Sequence, residues 1–349
     1  MPAPPRGARF LLLVLLASLL LPQAALASQG TIFVYHRFGE SRYPSTNISI
    51  DHFAAQLDYL SRQKIPVLPL LDVVERLKSG SRLPERFVVL TVDDGYTSFL
   101  SGAMPLLRTY QMPVTLFVSS RSVGAHGYLD WDQLRSLKRE GVSIGNHSHG
   151  HPYLVNLVQE QGLDAVRDEL IRAQERFQLH LGAAPQLFAY PFGETLPQIS
   201  RLVAELGFEA ATVQHSGVVH AQSDLFELPR FAMGGVYATL EGFVEKSRTQ
   251  TLPLRVVAPA DGLLAGPNPP RLRMAILPGS SLKVGDLNCY VAGRPDCEIR
   301  STEDERGFEV VARSPLTGRR NRYTLTAQGR DGSWGWFSWL WIDPRQGEP

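Results

Sequence analysis

Cysteine is scarce. The 349 residues contain two, Cys289 and Cys297. That excludes a disulfide-built scaffold and a cysteine-rich metal cluster. An excess of charge of either sign is also missing. Lys and Arg number 35 against 34 Asp and Glu, so nothing marks the chain as a partner of nucleic acid or another polyanion. No internal repeat or low-complexity tract occurs, which argues against a solenoid or a disordered array. What remains is 44% hydrophobic and 20% charged residues, the composition of a globular chain with a real core.

Long apolar runs are confined to the N-terminus. Arg6 and Arg9 precede an uninterrupted stretch from Phe10 to Leu21, and Ala25-Leu26-Ala27 follows. A basic start, a short apolar run and small residues spell a signal peptide over 1–27, with cleavage before Ser28. The run is short for a membrane span, and the other reading is an uncleaved anchor. No cysteine near the cleavage point offers a lipid attachment site. Removing the two arginines leaves 33 basic against 34 acidic residues. The expected location is periplasmic or extracellular, without stable membrane insertion. In an exported chain the spacing of Cys289 and Cys297 permits a small disulfide loop, since Gly293 and Pro295 allow the intervening segment to turn. Two buried free thiols are the other reading.

From Thr31 to about Gln250, short β-branched runs alternate with helical patterns. TIFVY at 31–35, FVVLT at 87–91, 113–118, 142–145, 187–190 and 208–213 read as strands. Segments 51–63, 98–110, 131–140, 163–181 and 197–206 read as helices, with Asp51 able to cap the first. Such alternation predicts parallel strands covered by helices, with active residues at the strands' C-terminal ends. Near Thr251 the character changes. Residues 254–342 are rich in Gly and Pro, with strands expected at 271–277, 308–312, 323–327 and 336–341. This predicts a compact all-β, sandwich-like domain.

Three segments carry chemistry. Asp93 and Asp94 follow FVVLT directly, and two adjacent carboxylates at a strand end call for a cation if both are buried. A helix cap plus a turn acid is the plainer alternative. His147, His149 and His151 fall within five residues. His147 and His151 can converge on one ion if the segment is helical or tightly turned, with His149 pointing elsewhere. One Asp and two His make the ligand count of a catalytic site that leaves a position for water. The third segment, Ala189-Tyr190-Pro191-Phe192-Gly193, can bend and expose a backbone N–H to an oxyanion, or be an ordinary turn.

In this order, TVDDG, HSHGH and AYPFG resemble the motifs of the polysaccharide deacetylases with a NodB homology domain, carbohydrate esterase family four. VYHRF at 34–38 resembles the opening of the branch that includes the poly-N-acetylglucosamine deacetylases. The resemblance spans about residues 30–250. It implies a distorted (β/α) barrel over 28–250 and a divalent metal, most often Zn2+ with Co2+ or Ni2+ as alternatives. By position it implies Asp93 as general base, Asp94, His147 and His151 as metal ligands, and the Phe192 N–H at the oxyanion. Tyr190, Pro191 and Trp131 would contact substrate. Trp131, flanked by Asp130 and Asp132, resembles the family's tryptophan motif, though it can equally be a core residue opening a helix. The implied activity is removal of N-acetyl groups from an N-acetylhexosamine polysaccharide. O-acetyl esterase activity or glycan binding without catalysis are the alternatives.

Two departures stand out. The Arg that often begins the third motif and supports the base is replaced by Ala189. The family's Leu-x-x-His is absent, since Leu228-Pro229-Arg230-Phe231 holds no His. His36, His215 and His220 remain as candidates for the general acid, with His36, just after the first strand, preferred. Four of the five tryptophans lie at 334, 336, 339 and 341. Their period of two predicts one aromatic strand face, which would stack on sugars or pack against the barrel.

Overall fold

The computed structural model describes residues 28–302, 306–329 and 332–347. The expected signal peptide lies outside them. The first strand, β1 (Gln29–Tyr35), is buried along its length except at Gln29. A small parallel pair follows, β2 (Arg37–Phe38) and β3 (Asn47–Ile48). Then come β4 (Arg86–Val92), β5 (Thr115–Val118), β6 (Ser143–Asn146), β7 (Leu187–Ala189), β8 (Ala210–Thr212), β9 (Val219–His220) and β10 (Phe231–Ala232). The main sheet runs β10-β1-β4-β5-β6-β7-β8, with β9 added antiparallel to β1. Neighbours along the main path are parallel. Apolar runs such as FVVL are therefore covered on both faces, as parallel strands require.

The crossovers are α1 (Ile50–Arg62), α2 (Leu70–Ser79), α3 (Met104–Tyr110), α4 (Trp131–Arg139), α5 (Leu154–Gln161), α6 (Leu163–Leu181), α7 (Pro197–Glu205) and α8 (Leu240–Ser247). α1 is capped by Ser49, whose Oγ accepts from the His52 N–H at 3.1 Å. Asp51 instead sits in the first turn, where its charge suits the helix dipole. Asp130 and Gln133 form a capping box at α4, which fixes its start at Trp131. The sequence reading omits α2, α5 and α8. Two of these have only eight residues, too few turns for a clear period. The expected single helix at 98–110 is a π-helical stretch, Phe99–Ala103, leading into α3.

The sheet curls, and one segment spans its two edges. Leu228 bridges Thr212 of β8, while Phe231 and Ala232 pair with Phe33 and Val34 of β1. Residues 228–232 thus close the distorted barrel, and Arg230 lies at the seam.

The second unit is a sandwich, as expected. Its strands are β11 (Gln250–Thr251), β12 (Leu254–Ala258), β13 (Arg271–Ile276), β14 (Asn288–Val291), β15 (Cys297–Ser301), β16 (Gly307–Ala312), β17 (Arg320–Gln328) and β18 (Trp334–Ile342). They form two four-stranded sheets, β11-β18-β17-β14 and β12-β13-β16-β15. Leu272, Met274, Phe308, Val310, Tyr323, Leu325 and Trp341 fill the space between them. The Cys289–Cys297 disulfide joins β14 to β15, one strand from each sheet.

The four tryptophans of β18 do not share a face. Trp336 and Trp339 are three positions apart, so the period of two sends them to opposite sides. Trp339 and Trp341 pack in the sandwich. The alternate residues meet the barrel. The Trp336 Nε1–H donates to Ser216 Oγ at 2.9 Å, and the Ser338 hydroxyl donates to the Ser216 carbonyl at 2.6 Å. Ile342 and Leu340 pack with the barrel residues Tyr190 and Val213.

Candidate active site

The site lies where strand ends and loops meet at one mouth of the barrel. Asp93 and Asp94 leave the end of β4. The Asp93 N–H still donates to the Tyr35 carbonyl at 2.9 Å, which continues the β1–β4 ladder and fixes the side chain inward. Asp94 then adopts φ +73° and points elsewhere. His147 and His151 follow β6. Their segment is a loop rather than a helix, with Ser148 at φ +66° and His151 at φ +56°. The Ser148 Oγ accepts from the His151 N–H at 2.9 Å, which tightens the turn enough for the two rings to meet. Phe192 follows β7 at φ +59°. Among the described residues, four of the seven non-glycine residues with positive φ are Asp94, Ser148, His151 and Phe192. Backbone strain is concentrated where the chemistry-bearing side chains converge.

Asp94, His147 and His151 form a triangle. The Asp94 Oδ1 is 3.5 Å from each imidazole Nε2, and the two Nε2 atoms are 3.1 Å apart. Tetrahedral bonds of roughly 2.0–2.2 Å place ligand atoms about 3.3–3.6 Å from one another; the two Asp94 edges fall in that range and the edge between the histidines is slightly shorter, so the triangle approximates one face of such a site. The tautomer agrees. His147 Nδ1 lies 2.7 Å from the Ala189 carbonyl, an acceptor only, so Nδ1 carries the proton. The Nε2 lone pair is then free to bind a cation, and the carbonyl serves as the orienting partner that ligand histidines need. Burial and the neighbouring His147 push the His151 imidazole down to about 4, so it is neutral near pH 7. Burial opposes charge on His147, but Asp93 and Asp94 outweigh it and raise that imidazole. A cation would compete with that proton. His149 turns away as expected, its Nδ1 2.9 Å from the Ser120 hydroxyl.

Asp93 is held by a residue the motifs did not supply. Arg230 reaches it with both terminal nitrogens, 2.7 Å to Oδ1 and 2.7 Å to Oδ2, and both side chains are fully buried. Arg230 Nε donates to the Val213 carbonyl at 3.1 Å, and one terminal nitrogen also donates to the Thr91 hydroxyl at 3.2 Å. Burial would raise the Asp93 carboxyl, yet the Arg230 guanidinium and His147 hold it below the ordinary carboxylate range. Ala189 therefore marks no loss of support for this acid; the cation arrives from the barrel seam.

His36 follows β1 at the same mouth, half-buried. Burial would raise the neighbouring Asp94 carboxyl, yet the His147 hydrogen bond, with His36 and His151 nearby, holds it well below its usual range. Of the other candidate acids only His220 is placed elsewhere, and His215 follows β8 beside Arg230. His220 pairs with Gln29 at the start of β1, the opposite end of the barrel. Burial and the charge of Arg322 press His215 down to about 4, which leaves it no proton to donate near pH 7.

Phe192 sits over the site. Its ring meets His151 edge-on at 4.5 Å and stacks on Tyr153 at 3.9 Å. Gly193 follows at φ +69°, where an added Cβ would come within 2.3 Å of the Gln214 backbone nitrogen, so only glycine fits this close approach. The sandwich braces the turn. Arg319 forms a buried ion pair with Glu194, at 2.7 and 2.6 Å, and lies 3.7 Å over the Tyr153 ring. Arg320 donates to the Phe192 carbonyl at 2.8 Å. None of Tyr153, Glu194, Arg319 and Arg320 belongs to a motif.

Three residues expected to contact substrate lie outside the site's surface. Tyr190 is fully buried, edge-on to Phe188 in the core. Pro191 is buried as well. Trp131 stacks on His180 at 4.3 Å and meets Phe177 edge-on, so its ring fills the seam between α4 and α6. Its plainer reading, a packing residue opening a helix, fits this placement.

Residues 80–211 match the family described as polysaccharide deacetylase. A Staphylococcus aureus poly-beta-1,6-N-acetyl-D-glucosamine N-deacetylase is 22% identical over 236 residues, 62% of this chain and 79% of its own. An Escherichia coli protein of the same name is 22% identical over 214 residues. The matched region is 50% of this chain and about a third, 32%, of that relative's length. Among solved structures, the Streptococcus pyogenes deacetylase PplD in complex with acetate superposes with a TM-score of 0.57 at 22% identity. The match covers 63% of this chain and 99% of that one; at this identity the likeness is one of fold.

Proposed function

We infer that this chain, a polysaccharide deacetylase by residues 80–211 and so a hydrolase, uses a divalent metal to remove N-acetyl groups from an N-acetylhexosamine-containing polysaccharide. The observation that carries the reading is the Asp94–His147–His151 triangle beside a buried carboxylate pinned by Arg230. The catalytic unit would comprise residues 28–250, with 254–342 as a separate sandwich domain.

A divalent ion such as Zn2+, held by Asp94, His147 and His151, would supply Lewis acidity at the acetamide carbonyl and acidify the attacking water. Asp93 accepts that water's proton. The Arg230 fork occupies one direction at each carboxylate oxygen and leaves other lone pairs for the water. Oxygen adds to the carbonyl carbon, and the Phe192 N–H faces the developing negative charge. His36 then donates a proton to the departing sugar nitrogen as the C–N bond breaks, giving acetate and a free amine. The disulfide suits an exported protein, and an extracytoplasmic polymer would be met there. Among the described residues no helix is long and apolar enough to cross a membrane.

Acetate release tests this reading. The full chain, stripped with chelator and then restored with Zn2+, Co2+ or Ni2+, is offered N-acetylglucosamine oligomers, chitin, peptidoglycan and O-acetylated xylan. Metal-dependent acetate and new primary amines are expected from an amino-sugar polymer. Turnover of the ester alone would make it an esterase, and binding without acetate would make it a glycan-binding protein.

A further inference from the structure

A cavity of about 580 Å³ lies between the barrel and the sandwich and shares Phe192 with the catalytic site. Its floor is set by strand parity. Arg320, Arg322, Thr324 and Thr326 project from β17 on the face opposite Tyr323 and Leu325, and Trp334 and Trp336 project from β18. The barrel contributes Lys246, whose ammonium lies 5.9 Å from the Trp336 ring and 6.0 Å from Phe231.

Arg322 is the anomaly. It is half-buried in the cavity wall, and the loss of solvent there destabilises its charge. Its hydrogen bond is a long one, 3.4 Å to the Ser216 hydroxyl. The charged and ionisable neighbours that act on it are Tyr237 and a second cation, Arg320. Elsewhere the chain pairs its buried guanidinium groups with carboxylates, Arg230 with Asp93 and Arg319 with Glu194. Leaving a guanidinium in a low-dielectric wall without a counter-charge is costly, and an anion entering the cavity would offset that cost. Glu245, at the cavity edge, acts on Lys246 and leaves Arg322 unanswered. The remaining walls suit a sugar, with indole faces for the apolar side of a ring and Thr324, Thr326 and Gln214 for its hydroxyls.

We propose that this cavity is a subsite for a carboxylate-bearing sugar next to the acetamido sugar being hydrolysed, with Arg322 as the fork that receives the carboxylate and Lys246 as a second cation. The assignment rests on the deacetylase reading above and narrows its substrate to an acidic glycan, one that alternates or intersperses acetamido sugars with sugars carrying a carboxyl group. A planar guanidinium matches a carboxylate in two parallel hydrogen bonds. The near-zero net charge of the whole chain does not oppose this, because the recognition is local.

The test uses two synthetic oligosaccharides of equal length. In one the acetamido sugar is flanked by a hexuronate, in the other by the neutral hexose. Acetate release by the metal-loaded full chain gives KM and kcat, and calorimetry gives binding directly. The acidic oligosaccharide is expected to have a KM lower by about ten- to a hundred-fold, the range for a charged hydrogen bond in a partly buried site, and the advantage should shrink as salt rises. Arg322→Gln should erase the difference, and Lys246→Met should reduce it, which keeps the test alive if the first variant folds poorly. Equal KM values for the two oligosaccharides overturn the proposal, as does a preference that survives in both variants. If neither compound releases acetate, the deacetylase reading fails, and calorimetric preference for the acidic compound then judges the subsite by itself.

Discussion

Arg230 clamps Asp93 through two 2.7 Å contacts, with neither side chain exposed to solvent. Arg230 is the cation in direct bidentate contact with Asp93, so the two must be judged together. Asp93→Asn should lower activity by about 100- to 10,000-fold, as removal of a general base does, while the metal is retained. It should also destabilise the fold, because Arg230 loses its counter-charge. Arg230→Ala strands a buried carboxylate and should cost about 3–5 kcal/mol. Denaturant unfolding of both single variants and the double variant measures the coupling. Additive effects would show that the pair is not a unit.

The His147–Ala189 hydrogen bond makes a prediction about metal. His147→Ala and His151→Ala should each lose stoichiometric metal when purified without chelator, by elemental analysis. His149→Ala, whose ring bonds Ser120 instead, should keep it. Full metal content in either of the first two variants would rule out the triangle as the binding site.

The ion pair between Arg319 and Glu194 ties the sandwich to the turn carrying Phe192. Arg319→Ala removes the buried ion pair to Glu194 and should lose about 3–5 kcal/mol in thermal or denaturant unfolding. It also removes the contact over Tyr153, on which Phe192 stacks, so kcat should fall further than a stability loss alone explains at temperatures where the variant is folded. Unchanged kcat in folded Arg319→Ala would separate the sandwich from catalysis. Truncation before residue 254 should expose the barrel face that Leu340 and Ile342 cover and promote aggregation.

Tryptophans on the two faces of β18 should behave differently. Trp341 is 2% exposed, and Trp341→Ala should cost about 3–5 kcal/mol. Trp334 lines the cavity and is only half-buried. Trp334→Ala should leave the melting temperature nearly unchanged and weaken glycan binding. Equal destabilisation by both changes would mean that the cavity wall is part of the core.

The catalytic cluster was legible because its members are close in sequence. Asp93 and Asp94 are adjacent, and His147 and His151 need only one tight turn to meet. The alternation of strands and helices revealed a parallel, helix-covered sheet for a similar local reason, while the barrel followed only from the resemblance of the motifs. Arg230 was not legible as Asp93's partner. The two lie 137 positions apart, and only closure of the sheet brings them together. Tyr153, Arg319 and Arg320 were hidden likewise, since their roles arise from packing between the two units. Tyr190 misled because a motif records which residues stand together, not which way each points; its strand end aims the ring into the core. The opposed faces of Trp336 and Trp339 could have been read directly, since an odd spacing along a strand reverses the side chain.

The seam at residues 228–232 also comes late in the protein's synthesis. Asp93 emerges from the ribosome well before Arg230, and the barrel's last edge is the final piece of its wall to be made. Until then the nascent β4 end carries two neighbouring acids with no guanidinium to offset them. The Asp93–Arg230 contact therefore exists only once residues 228–232 have paired with the strands on either side of them. The same logic bounds any excised fragment: one ending at residue 211, where the family match stops, would contain every recognisable motif and still lack Arg230, which makes Asp93 a buried, compensated charge.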